Sequence, residues 1–447
     1  MEHPFLTRLA GFGSNEAVVF DGHVYDYTDL AGMVRDWQRY LTRQGVTAGT
    51  VVELASPCTV HGCAALIALV TLGAIVAPIG SPSPAKRAEY RDIARPEIVV
   101  AVSPDGDRQA EPSGMTAAHP LYDRLRADRR PGLVLFSSGT SGRCKASVLD
   151  FTKVLARYHG RGRRQRILTF LSLDHIGGIN TLLHTLSHGG TVVTVATRTP
   201  DAVFEALARH RVEVLPTTPT FLNMVLVSRA YERHQADALR LVTYGTEPMP
   251  VETLQRLRTA LPGVRLKQTY GLSELGILPT KSRDDDTLWV KLGGAGFDHK
   301  IVDGILWIRS DMAMLGYLNA VADFDEDGYF NTQDVVEVDG DWVRILGRRS
   351  EIINVGGEKV YPNEVEGVLL QVPGVAEATV SGARSPVTGM IVRAVLRLAD
   401  GADPEAVRRT ARGHCRDELE PFKVPALIEV SDAAQHSDRF KKVRAAA

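Results

Sequence analysis

The chain has 447 residues, 44% apolar and 23% charged, an ordinary globular balance with room for roughly two to four domains. Lysine and arginine total 52 and aspartate and glutamate 53, a net charge of −1 that argues against nucleic-acid binding through bulk charge. Cys58, Cys63, Cys144 and Cys415 form no Cys-x-x-Cys pair, which excludes the usual signatures of a disulfide scaffold or a cysteine-based zinc site.

Residues 25–45 read as a helix entry, with Thr28 placed to cap it and Leu30, Met33, Val34, Trp37 and Leu41 at near-helical spacing. Residues 50–54 read as a short strand. Residues 63–79 carry no charge, but Gly73 and Pro78 interrupt the run and a Gly/Ser/Pro stretch follows. A buried helix leading into a buried strand is expected there, and no membrane span. The opening Met1-Glu2-His3-Pro4 lacks a basic stretch followed by an apolar one. With the cysteine usage, this predicts a cytoplasmic protein. Residues 101–130 are polar, with Pro112, Gly114 and Pro120, and are expected to be loop-rich. Residues 133–136 are an apolar strand running into a Ser/Thr/Gly cluster. Strands are expected at 167–173, 191–196 and 212–215, with helices at 181–186 and 204–208 between them. A further helix at 219–231 has Thr218 as its cap. The basic run 161–166 reads as a solvated loop.

Beyond Gly293 the texture changes to short β patterns at 300–302, 305–308, 335–338 and 342–345. From Glu351 the order is strand, helix, strands, helix, with helices at 363–372 and 404–418. The expected class is α/β: a large multi-subdomain α/β N-terminal domain and a small mobile α+β C-terminal domain.

Three local patterns carry chemistry. In LVLFSSGTSGRCK a strand delivers Ser137, Ser138, Gly139, Thr140, Ser141 and Gly142, then Lys145. Small hydroxyls and glycine backbone can close on an anion and the lysine adds a point charge, as cradling a polyphosphate requires. The spacing is not that of a Walker A loop. In QTYGLSELG, Tyr270, Gly271, Ser273 and Glu274 bring a ring for stacking, a hydroxyl and a carboxylate able to meet Mg²⁺ within five residues. Asp334, with Arg348 in the Gly347-Arg348-Arg349-Ser350 stretch, reads either as a surface ion pair or as a ribose-binding carboxylate.

These motifs, together with GYFNTQD and GRRSEIINVGGEKVYPNEVE, resemble in content and order those of the adenylate-forming superfamily: acyl-CoA synthetases, adenylation domains and luciferases. The resemblance runs from about residue 25 to 442. It implies an N-terminal AMP-binding domain over 1–346, a hinge at 347–350 and a mobile domain over 351–447. It implies that residues 137–145 hold the β- and γ-phosphates of ATP. The backbone of Gly245, Thr246 and Glu247 would line one face of adenine, and Tyr270, beside Gly271, the other. Ser273 would meet the α-phosphate, Glu274 the Mg²⁺, and Asp334 the ribose beside Arg348. His175 would gate the acyl pocket, and Gly357, in Gly356-Gly357-Glu358-Lys359, would line a thiol tunnel or form a plain hairpin turn.

The chemistry implied is ATP-dependent activation of a small carboxylic acid with pyrophosphate release. Transfer of the acyl group to CoA or to the pantetheine arm of an acyl or peptidyl carrier protein would follow. A non-thiol nucleophile, or a nucleotide-binding protein without turnover, are the alternatives. A short chain of this family suggests a compact or aryl acid. Asp174, before the gating histidine, is either an anchor for an amino group or solvent-facing.

Four departures from the family pattern stand out. Cys144 replaces a proline, which predicts a looser loop with a reactive thiol. Gln333 replaces the glycine before Asp334, and Ser350 replaces a hinge Asp or Lys. Near the C-terminus a Gly-Lys pair is replaced by Phe440-Lys441-Lys442, so Lys441 and Lys442 compete as the catalytic lysine. In an extended segment Lys442 and Phe440 share a face that packs against the small domain, which leaves Lys441 to reach inward.

Overall fold

The uncharged run lies at the centre of the fold. In the computed structural model, which describes residues 2–80, 82–138, 144–160, 162–284, 287–386, 388–437 and 440–444, it forms a helix, Val60–Thr71, and a strand, Ile75–Ile79. The helix is apolar nearly all round and the strand is buried at every position, as elements inside a core must be. That strand sits mid-sheet in the order Gly316–Tyr317, Cys144–Asp150, Gly132–Ser138, Ile75–Ile79, Val51–Ala55, Ile98–Val102, Arg108–Pro112. Its four inner strands are parallel and its edges antiparallel.

A second seven-stranded sheet runs Arg265–Gln268, Leu241–Tyr244, Val214–Thr217, Arg166–Leu168, Thr191–Thr194, Glu16–Phe20, His23–Asp26, parallel except for the last hairpin. Helices Tyr27–Arg43, Val60–Thr71 and Ile176–Ser187 share one hydrophobic core with inward residues of both sheets. A six-stranded antiparallel sheet, containing Phe330–Asp339 paired with Trp342–Arg348, joins the same core.

From Ile353 onward a five-stranded sheet and two helices, Pro362–Leu369 and Pro404–Glu418, close around a separate core. The Trp342–Arg348 strand ends in a 3₁₀ turn, Arg349–Glu351, between the two bodies. Asn223 Nδ2 donates to the Ala376 carbonyl across their junction at 2.7 Å.

Two sequence expectations are corrected. The first long helix is capped by Asp26, not Thr28: Asp26 and Asp29 form a reciprocal capping box at Tyr27. Residues 101–130 hold an edge strand, Arg108–Pro112, and a helix, Pro120–Ala127, capped by His119. Their polarity is that of a sheet edge facing water. No helix among the described residues is long and apolar enough to cross a membrane.

Candidate active site

The motif residues Lys145, Tyr270, Asp334 and Arg348 stand on strands of the large body, and Ser273 and Glu274 on the turn between two of them. Strands Tyr270–Leu272 and Gly276–Leu278 form a hairpin whose tight turn presents Ser273 and Glu274. The Tyr270 hydroxyl donates to Asp334 Oδ2, and Arg348 Nε lies 3.6 Å from Asp334 Oδ1. Asp334 and Arg348 are cross-strand partners, so sheet register sets this contact. Burial pushes the Asp334 carboxyl above its ordinary range, and Arg348 and the Tyr270 hydroxyl only partly offset it. Burial, and then the Asp334 charge, push the Tyr270 phenol well up, so it stays a donor.

Glu274 is buried and accepts from the Tyr317 hydroxyl at 2.8 Å, while Lys145 Nζ lies 5.2 Å from the Tyr317 ring centre. Tyr317 thus joins Lys145 to Glu274. The Glu274 carbonyl accepts from the Met314 N–H at 2.7 Å, which ties the motif turn to the Gly316–Tyr317 strand. Ser137 pairs with Lys145, and Ser138 with Cys144, at the open end of the Gly132–Ser138/Cys144–Asp150 hairpin. Gly139, Thr140, Ser141 and Gly142 lie outside the described residues. Gly245 has no room for a side chain: a Cβ would lie 2.6 Å from the Thr269 carbonyl oxygen. Thr246, next to it, is exposed with φ +73°.

His175 caps the Ile176–Ser187 helix by accepting from the Gly177 N–H at 3.0 Å. It lines a small cleft, partly open to solvent, together with Phe170, Ser172, Thr218, Thr246 and, from the C-terminal segment, Phe440 and Lys441. Lys442 turns the other way, its Nζ 2.6 Å from Glu366 Oε2 and 3.0 Å from the Ala378 carbonyl. Arg444 reaches Glu366 as well, and Glu351 at 2.9 Å. Burial alone would raise the Glu366 carboxyl, but Lys442 and Arg444 outweigh it and hold it below its ordinary range. Glu247 bridges the two bodies: one oxygen accepts from the Thr220 N–H at 2.7 Å and the other from the Lys442 N–H at 3.1 Å.

Residues 5–318 match the family model of the AMP-binding enzyme, and residues 364–441 match that of the AMP-binding enzyme C-terminal domain. The chain belongs to the AMP-binding enzyme family. It is similar to an isonitrile lipopeptide synthase of Streptomyces coeruleorubidus, 29% identical over 94% of this chain but only 31% of that protein. It is also similar to 3-[(3aS,4S,7aS)-7a-methyl-1,5-dioxo-octahydro-1H-inden-4-yl]propanoyl:CoA ligase of Rhodococcus jostii, 27% identical over 98% of this chain and 96% of the relative. Among solved structures, the anthranilate CoA ligase AuaEII with bound anthranoyl-AMP shares the fold, with a TM-score of 0.82, 20% identity, and 99% and 96% of the two chains covered. This AMP-binding enzyme is an ATP-dependent acid ligase that forms an acyl-adenylate and passes the acyl group to a thiol.

Several details of this AMP-binding enzyme differ from the sequence expectations. Cys144 is buried rather than exposed, its thiol donating to the Ser137 carbonyl at 3.3 Å, because the hairpin ladder runs on through Cys144. Asn319 fastens that stretch, donating to the Cys144 carbonyl at 2.7 Å and accepting from the Ala146 N–H at 3.1 Å. Asp174 does not face solvent; it is buried and accepts from the Gly80 N–H at 3.2 Å. Phe440 does not pack on the small domain: its φ of +51° breaks the extended alternation and sends the ring into the large body's core. Gln333 takes φ +61°, the left-handed region that favours glycine. Gly356 and Gly357 form the turn of the Ile353–Val355/Glu358–Val360 hairpin, with φ +60° and +100°. Sequence reasoning missed Tyr317, Asn319 and Glu366; a hydroxyl or carboxylate inside an apolar stretch was the available signal at Tyr317 and Glu366.

Proposed function

We propose that the acid is held in the His175–Lys441 cleft and that Lys441 is the cation of the adenylation step. The observation that carries this is the split between neighbours: Lys441 lines the cleft, while Lys442 is held by Glu366. A lysine beside the reacting carboxylate and the α-phosphate offsets negative charge as it grows in the transition state. The step is otherwise positioning. Asp334 and Tyr270, locked together by their hydrogen bond, present the ribose and adenine contacts. Lys145, with Ser137 and the loop that follows, takes the β- and γ-phosphates, and Ser273 the α-phosphate. His175, oriented by Gly177, closes the cleft on the acid.

Among the described residues no group of three or more metal-ligating side chains exists. A single buried carboxylate at Glu274 nevertheless suits Mg²⁺, which takes its remaining ligands from phosphates and water. Bound there, Mg²⁺ would neutralise phosphate charge. CoA is the acceptor this reading favours, supported by the Rhodococcus CoA ligase that aligns along nearly its full length. The hinge is assigned to 347–350, between bodies with separate cores, so that the small domain rotates between half-reactions.

The test is ATP–pyrophosphate exchange over a panel of acids, followed by trials of CoA, carrier protein and amines as acceptors. Exchange dependent on one acid class and thioester formation with CoA are expected. Exchange without any thioester, but with an amide, would overturn the acceptor assignment.

A further inference from the structure

Phe440 holds a backbone conformation that bulky residues rarely adopt, with φ +51°. Such an outlier persists only where its surroundings over-determine it. Here its carbonyl accepts from the Thr218 hydroxyl at 2.8 Å. Its ring stands edge-on to Phe170 and Phe221, with centroids 5.5 and 5.2 Å away. The Arg198 guanidinium lies 5.6 Å from its centre. The ring is buried in the hydrophobic cluster of the second sheet, although the residue belongs to the C-terminal segment. Phe170 and Phe440 both line the acid cleft, whereas Phe221 lies behind them, fully buried. The Phe440 ring therefore closes the cleft off from the aromatic core.

We propose that Phe440 is the specificity-determining floor of the acid pocket, delivered by the C-terminal segment together with Lys441, and that it restricts adenylation to compact acids, short-chain or single-ring. This rests on the ligase reading above. The large domain alone leaves the pocket without this floor. Because floor and cation are adjacent residues, an acid too long for the floor keeps Lys441 from its place, so size is read in the chemical step.

The experiment is ATP–pyrophosphate exchange by the full chain with benzoate and with butanoate, hexanoate, octanoate and decanoate. Wild type, Phe440→Ala and Phe440→Leu are compared, with melting temperature as the folding check. Wild type is expected to prefer the compact acids. Phe440→Ala is expected to raise the octanoate-to-butanoate ratio of kcat/KM by at least ~10-fold, the scale of one or two methylenes gaining a pocket. Phe440→Leu is expected to fall between, and it carries the test should the alanine variant not fold. A ratio unchanged in both folded variants, an equal loss on every acid, or a wild type that activates decanoate as well as butanoate would overturn the proposal. A wild type that exchanges with none of the acids would instead contradict the ligase reading itself.

Discussion

The two halves of the site are held by different logic. On the side proposed to hold the nucleotide, Tyr270 meets Asp334, and Tyr317 meets Glu274 and Lys145, all within the large body. The C-terminal segment is divided between bodies. Its Lys442 side chain is gripped by Glu366 of the small domain, while its Lys442 N–H and Phe440 carbonyl are gripped by Glu247 and Thr218 of the large one. The first half is preorganised by contacts within the large body alone. The second draws its contacts from both bodies, which suits the proposed use of Lys441 in one half-reaction only.

Breaking the nucleotide half should produce the largest effect. Glu274→Gln removes the carboxylate charge but keeps a side chain able to meet Tyr317. We expect exchange to fall on the order of 10³-fold with an unchanged melting temperature. Exchange near the wild-type rate would remove Glu274 from the metal assignment. Asp334→Ala should raise KM for ATP on the order of 10-fold with a smaller change in kcat, because a ribose contact is made in ground and transition states alike. A pure kcat loss would count against that role.

Smaller effects sharpen the docking side. The Glu366 pKa is depressed in the folded protein, so its stabilisation is complete above the unfolded carboxylate value of about 4.3 and is lost as pH falls through the folded value. The melting-temperature gap between wild type and Glu366→Gln should be widest near neutral pH and close in acid. A gap that widens in acid would reverse the assignment. Smallest of all, Gln333→Gly should stabilise by about 1 kcal/mol by relieving the positive φ, read from denaturant midpoints. Destabilisation would mean that the Gln333 side chain contributes more than its backbone conformation costs.

The contrast also explains what the sequence made legible. The alternation of apolar strands with amphipathic helices exposed the α/β body, and the helix over Pro404–Glu418 falls where its pattern places it. The motif residues on the nucleotide side were visible because each is a chemically distinctive side chain in a short, ordered run. Tyr317 was not, because its role comes from a hydrogen bond to a turn residue 43 positions away in the chain. Cys144 misled because loop composition says nothing of how far a hairpin ladder extends. Phe440 misled because alternation assumes extended backbone, and a single left-handed residue reverses which face a side chain takes.

The central claim is that Lys441, and not Lys442, supplies the cation for adenylation. ATP–pyrophosphate exchange by Lys441→Ala and Lys442→Ala, each with its melting temperature, tests it most directly. We expect Lys441→Ala to lose at least ~100-fold, about 2.7 kcal/mol of transition-state stabilisation, with little change in melting. Lys442→Ala should lose far less exchange but melt earlier, since it removes one of the two cations that neutralise buried Glu366. The reverse pattern, with Lys442→Ala crippled in exchange and Lys441→Ala near wild type, would contradict the account.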